Sequence, residues 1–105
     1  MKKRVETKQQ ILDILESHKT EINRFGVTRI GLFGSLMRDE QREDSDVDIL
    51  VEFFPAEKTF RNYVGLVYLL EDLLQREVEL VTPEGLSPYL KPYISKDVRY
   101  VETAS

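Results

Sequence analysis

The chain contains no cysteine. A disulfide framework, a thiolate metal site and a thiol nucleophile are therefore excluded, which suits a reducing compartment. Glycine and proline are sparse, at 5 and 4, so collagenous and low-complexity classes are excluded as well. An excess of positive charge is also missing: 15 Lys and Arg face 19 Asp and Glu, for a net charge of −4. A generic grip on nucleic-acid phosphates rests on clustered basic residues, so direct nucleic-acid binding is not expected. No long hydrophobic run occurs. The longest apolar-rich stretch, Tyr63 to Leu74, is broken by Glu71 and Asp72 and falls far short of the roughly 20 residues of a membrane span. The basic start Met1-Lys2-Lys3-Arg4 is followed by Val5 to Gln10, which supply no apolar stretch for an export signal. The expectation is a cytoplasmic protein.

What is present is a chain of 105 residues, 41% hydrophobic and 32% charged, enough for one small core and hence one domain over residues 1–105. From Thr7 to Phe25, Ile11, Leu15, Ile22 and Phe25, with His18 among them, recur at steps of four and three, predicting an amphipathic helix capped near Thr7 and ended by a left-handed Gly26. Val27 to Gly34 is short, partly β-branched and flanked by glycine, which predicts a buried strand. A charge run follows in Arg38 to Asp44, read as a solvated loop after a helical turn. Residues 46 to 53 then alternate, with Val47, Ile49, Val51 and Phe53 on one side and Asp46, Asp48, Leu50 and Glu52 on the other. That is a strand, halted at Pro55.

Lys58 to Gln75 reads as a second long helix with Phe60, Tyr63, Val64, Val67, Leu70 and Leu74 at helical spacing. Glu77 to Thr82 reads as a third strand, parallel to the second because a helix connects them. The expected class is α/β (α+β), a small mixed sheet flanked by helices. Leu86 to Ile94 suits a short helix, and Val98 to Val101 a last extended piece.

Chemistry concentrates in two places. Gly34 and Ser35 end a strand, where free backbone N–H groups and a hydroxyl suit phosphate oxygens. Ten residues further on stands Asp46-Val47-Asp48, whose carboxylates share one strand face with Cα atoms about 6.6 Å apart. Side chains so spaced can converge on two cations about 3.5–4 Å apart, as phosphoryl-transfer chemistry requires. Oxygen donors of this kind select Mg²⁺ or Mn²⁺. Taken alone, Gly-Ser is usually a turn and Asp-x-Asp usually the wet face of a strand. At ordinary residue frequencies the combination should arise by chance in about one such chain in a thousand.

Gly34-Ser35, ten residues, then Asp46-Val47-Asp48 resembles the GSx10DxD signature of the DNA polymerase β-like nucleotidyltransferase superfamily. Within it the chain is most similar to the minimal nucleotidyltransferases (MNT, MntA-like antitoxins), chiefly over Gly26 to Thr82. Arg38 matches the Arg of the common GSxxRG form, although Asp39 stands where that form has Gly. The resemblance implies nucleotidyl transfer from Mg²⁺-ATP, with two Mg²⁺ ions and Mn²⁺ as an alternative. Gly34, Ser35 and Arg38 would bind the nucleotide; Asp46, Asp48 and a third acid would ligate the metal. That third acid is commonly Asp; here Glu79 takes its place, with Glu77 on the same strand face as a competitor that the register of the apolar residues disfavours. The extra methylene moves the carboxylate by roughly 1.5 Å. Glu52 is a poor alternative, because four residues of strand put it roughly 13 Å from Asp48.

The resemblance further implies a HEPN-domain partner: such proteins act as antitoxins to HEPN toxins, and some AMPylate a toxin tyrosine. Because so short a chain has little room for an enclosed pocket, a second chain is expected to complete the site. The competing reading is a non-catalytic module that neutralises its partner by covering it, keeping the acidic site as a nucleotide sensor or remnant. Arg38 could equally pair with Glu40 or Asp44. His18, the only histidine, lies on the apolar side of its helix and is assigned no role. Tyr63 and Tyr68 read as packing residues, and Tyr89, Tyr93 and Tyr100 as core or interface, a homodimer included.

Overall fold

The structure, a computed structural model, describes residues 7–33, 46–85, 88–89 and 98–103. The chain opens with α1 (Lys8–Ser17), whose entry is a capping box: the Thr7 hydroxyl accepts from the Gln10 amide, and the Gln10 side chain accepts from the Thr7 amide. Two donors that a helix start would leave bare are thereby satisfied. The single helix expected from Thr7 to Phe25 is broken at His18, whose backbone (φ −112°, ψ 19°) leaves the helical region, and α2 (Lys19–Asn23) follows. The His18 ring Nδ1 lies 2.9 Å from the Ile14 carbonyl, which also accepts from the His18 amide at 3.0 Å. Ile11, Leu15 and Ile22 remain fully buried across the break. Gly26 takes φ +82°, as a helix-ending glycine should.

Among the described residues four strands, β1 (Val27–Phe33), β2 (Val47–Phe53), β3 (Val78–Val81) and β4 (Arg99–Glu102), form one sheet in the order β3-β2-β1-β4. β1 is antiparallel to both β2 and β4, while β2 and β3 are parallel. The parallel pair is joined by α3 (Phe60–Leu74), as such a connection requires. Thr59 caps α3 by accepting from the Asn62 amide, and Gln75 ends it in the left-handed conformation at φ 54°.

The register assigns every strand residue to one of two faces. Ile30 pairs with Val51 and Val101, Leu32 with Ile49, and Ile49 with Leu80; these side chains form the core with Ile11, Leu15 and Ile22 and with Leu66, Leu70 and Leu74 of α3. The buried stripe of α3 is thus centred on Leu66, Leu70 and Leu74, flanked by Tyr63 and Val67. Phe60, expected in that stripe, is 83% exposed because it sits in the first turn, and Tyr68 is turned outward on the far side of the helix. The second sheet face carries Arg29, Gly31, Phe33, Asp48, Leu50, Glu52, Glu79 and Tyr100. It is not uniformly wet: Leu50 and Phe33 are buried there. A Cβ on Gly31 would stand 2.7 Å from Val98 Cγ1 and 3.0 Å from the Tyr100 ring, so only glycine lets that part of the chain lie so close.

Candidate active site

Three strand ends meet at one margin of the sheet. β1 finishes at Phe33, which pairs with Asp48 near the start of β2, and Asp48 in turn pairs with Glu79 near the start of β3. Residues paired across neighbouring strands point to the same face, with backbones about 4.8 Å apart. Asp48 and Glu79 are therefore neighbours on the face opposite the core. The outermost pair, Val47 with Val78, includes the Val47 amide donating to the Glu77 carbonyl at 2.9 Å. Extending the pairing sets exposed Asp46 beside exposed Glu77. Four acids thus occupy two adjacent rows, Asp46 with Glu77 and Asp48 with Glu79.

The arrangement places the competing acids at different positions. Glu79 is the one paired with Asp48, whereas Glu77 belongs to the outer row. Glu52 lies toward the other end of β2, where its carboxylate accepts from Arg29 Nε at 2.6 Å and its carbonyl accepts from the Thr28 hydroxyl. Tyr100 completes that group, its ring 3.8 Å below the Arg29 guanidinium. Burial raises the Tyr100 pKa; attraction to Arg29 opposes this, and the charge of Glu52 and a hydrogen bond to it add to the rise. Partial burial works against the charge on Arg29, yet the hydrogen bond and charge of Glu52 outweigh it, and its pKa is raised. Glu52 is committed to this pair and is removed from the acidic margin.

Asp46, Asp48 and Glu79 offer only hard oxygen donors, the chemistry that Mg²⁺ and Mn²⁺ favour, and the strand register puts their backbones near one another. Among the described residues, however, no three acid, histidine or cysteine side chains are gathered closely enough to hold an ion. Neighbouring carboxylates repel by about 1 kcal/mol at 4 Å in water, which favours rotamers turned apart. Gly34, Ser35 and Arg38, the expected phosphate-binding residues, lie outside the described residues, as does most of the short helix expected over Leu86 to Ile94. Phe33 brings the chain to Asp48 one residue before Gly34. Two surface grooves, of about 280 Å³ between α1 and β4 and about 200 Å³ at the start of α3, are lined by other residues. Among the described residues no helix is long and apolar enough to cross a membrane.

Comparison with known proteins identifies the family and the fold. Residues 9–101 match the family described as Nucleotidyltransferase domain. The protein adenylyltransferase MntA of Thermococcus cleftensis is 42% identical over 96 residues, covering 90% of this chain and 96% of that protein. A solved structure assigned provisionally as a minimal nucleotidyltransferase superposes with a TM-score of 0.70 at 33% identity, over 88% of this chain and 89% of the other. A toxin-antitoxin crystal structure with AMP-PNP shares the fold at a TM-score of 0.59 and 23% identity, over 81% of this chain and 70% of the other.

Proposed function

The chain belongs to the nucleotidyltransferase domain family, in its minimal nucleotidyltransferase branch, and we propose that it moves AMP from ATP to a tyrosine hydroxyl of a HEPN-domain toxin, acting as the antitoxin of a two-gene pair in the cytoplasm. The observation that carries this reading is the register that sets Asp48 beside Glu79, with Asp46 and Glu77 in the next row. The adenylyltransferase name of the Thermococcus cleftensis relative supports the nucleotide and the protein acceptor. The toxin-antitoxin neighbour that carries AMP-PNP makes a toxin partner the natural case to test.

In this scheme the acceptor oxygen forms a bond to the α-phosphorus while the bond from that phosphorus to the bridging oxygen breaks. Pyrophosphate leaves, and the hydroxyl proton passes to water or to a carboxylate. Gly34 and Ser35 hold phosphate oxygens through backbone N–H groups and the hydroxyl, and Arg38 adds a positive charge. Asp46, Asp48 and Glu79 would hold Mg²⁺ or Mn²⁺. Bound there, such ions supply positive charge to the phosphate oxygens and lower the pKa of a coordinated hydroxyl. The exposed acidic margin needs a wall, which the partner protein supplies together with the acceptor.

The decisive experiment incubates the chain with ATP labelled at the α-phosphorus, Mg²⁺ and the product of the adjacent gene. Label should appear on the partner and disappear with Asp48→Asn. A second reading, in which the chain neutralises its partner by covering it, draws on the lack of a gathered set of three ligands among the described residues and on Glu in place of Asp at position 79. It predicts unaltered inhibition by an Asp46→Asn/Asp48→Asn double variant and no label transfer.

A further inference from the structure

Among the described residues β3 is an edge strand, and the outer backbone groups of such a strand would ordinarily be left to water. The Glu77 carbonyl faces β2, where it accepts from Val47. Backbone groups alternate sides along a strand, so those of Glu79 also face β2, while those of Val78 and Leu80 face outward. α3 takes up both ends of that outward row. Glu71 Oε2 accepts from the Val78 amide at 3.0 Å, and the Tyr63 hydroxyl donates to the Leu80 carbonyl at 2.5 Å. The two tethered positions lie immediately before and after Glu79.

From these contacts we propose that Tyr63 and Glu71 are positioning residues that fix the lengthwise placement of Glu79 beside Asp48, an inference that rests on Glu79 being a metal ligand. The eight-residue separation on α3 corresponds to about 12 Å of helix, whereas Val78 and Leu80 are about 7 Å apart along the strand. The two tethers therefore reach the strand from well-separated points on the helix. A slide of the strand in either direction disturbs their geometry. Leu66, Leu70, Leu74 and Leu80 fix the strand against the core, but apolar contacts are non-directional; the two hydrogen bonds add the directional restraint. Placement matters because a misplacement near 1 Å can cost about a hundredfold in rate.

The test uses the full chain, checked for folding by circular dichroism, with two readouts: Mn²⁺ affinity measured without nucleotide, and kcat and KM for AMP transfer to the partner. Tyr63→Phe and Glu71→Ala should each weaken Mn²⁺ binding about tenfold, the range in which loss of supporting contacts usually acts, and lower kcat while KM for ATP holds. Glu71→Gln keeps an acceptor oxygen and should recover most of the loss. In a Glu79→Ala background, Tyr63→Phe should change Mn²⁺ affinity no further. Unchanged affinity and kcat in Tyr63→Phe and Glu71→Ala, or an undiminished effect in the Glu79→Ala background, overturns the proposal while leaving Glu79 as a ligand. If Glu79→Ala alone leaves Mn²⁺ affinity untouched, the ligand reading fails and takes this inference with it.

Discussion

Gly26 joins the α2 helix to β1 under two constraints at once, so Gly26→Ala should be among the more damaging single substitutions outside the apolar core. Its φ of +82° lies in the left-handed region, which costs a residue bearing a Cβ about 1–2 kcal/mol. A Cβ there would also stand 2.1 Å from Glu57 Cβ and 2.8 Å from Glu57 Cγ. The first of these atoms is the root of the side chain and cannot swing aside, so the 3-10 turn Pro55–Glu57 must move. Overpacking of that kind adds about 1–3 kcal/mol. The movement also disturbs the Phe54 amide, which donates to the Gly26 carbonyl at 2.8 Å. Together the loss is about 2–5 kcal/mol against a total of about 5–15 for a domain of this kind. Urea unfolding followed by circular dichroism measures it, and the double variant Gly26→Ala/Glu57→Gly should regain the steric share while the dihedral share persists. A Gly26→Ala protein within about 0.5 kcal/mol of the parent, the usual span of harmless surface changes, would refute the reasoning.

Leu70 is fully buried between α3 and the sheet, so Leu70→Ala should lower unfolding stability by about 2–5 kcal/mol in the same assay. Glu79→Asp should reduce AMP transfer about a hundredfold by drawing the carboxylate back roughly 1.5 Å from a margin built around Glu; a rise in rate would mean that the longer side chain restrains the chemistry. Tyr100 has a raised pKa, from burial first and then the Glu52 charge, so the fold favours its neutral phenol. That contribution is complete below the unfolded value of about 10 and is lost as pH climbs through the higher folded value. The alkaline fall in the urea midpoint should therefore be shallower in Tyr100→Phe, and an identical fall would count against this assignment.

The periodicities that faced a core were legible before any coordinates. Alternation placed β2, the β-branched run placed β1, and the strand-helix-strand order required β3 to lie parallel to β2. The break at His18 was not legible, because Ile11, Leu15 and Ile22 keep helical spacing across it and stay buried on both sides. The orientation of α3 was half legible: Leu70 and Leu74 were expected inside and are, but Phe60 matches the period while lying exposed in the first turn. At the candidate site, apolar register favoured Glu79 over Glu77, and the pairing sets Glu79 opposite Asp48. The second row, Asp46 with Glu77, depends on how two strands are aligned, which no single segment records. The interlocked Arg29, Glu52 and Tyr100 likewise come from three strands and leave no local pattern.

The tethering of β3 by α3 reaches beyond catalysis. An unoccupied rim of amides and carbonyls invites any extended stranger to zip onto it, the first step of clumping in a crowded cell. Here a newcomer would have to evict Tyr63 and Glu71 before it could fasten, so the pair that steadies an acid beside its neighbour also discourages unwanted company along that margin.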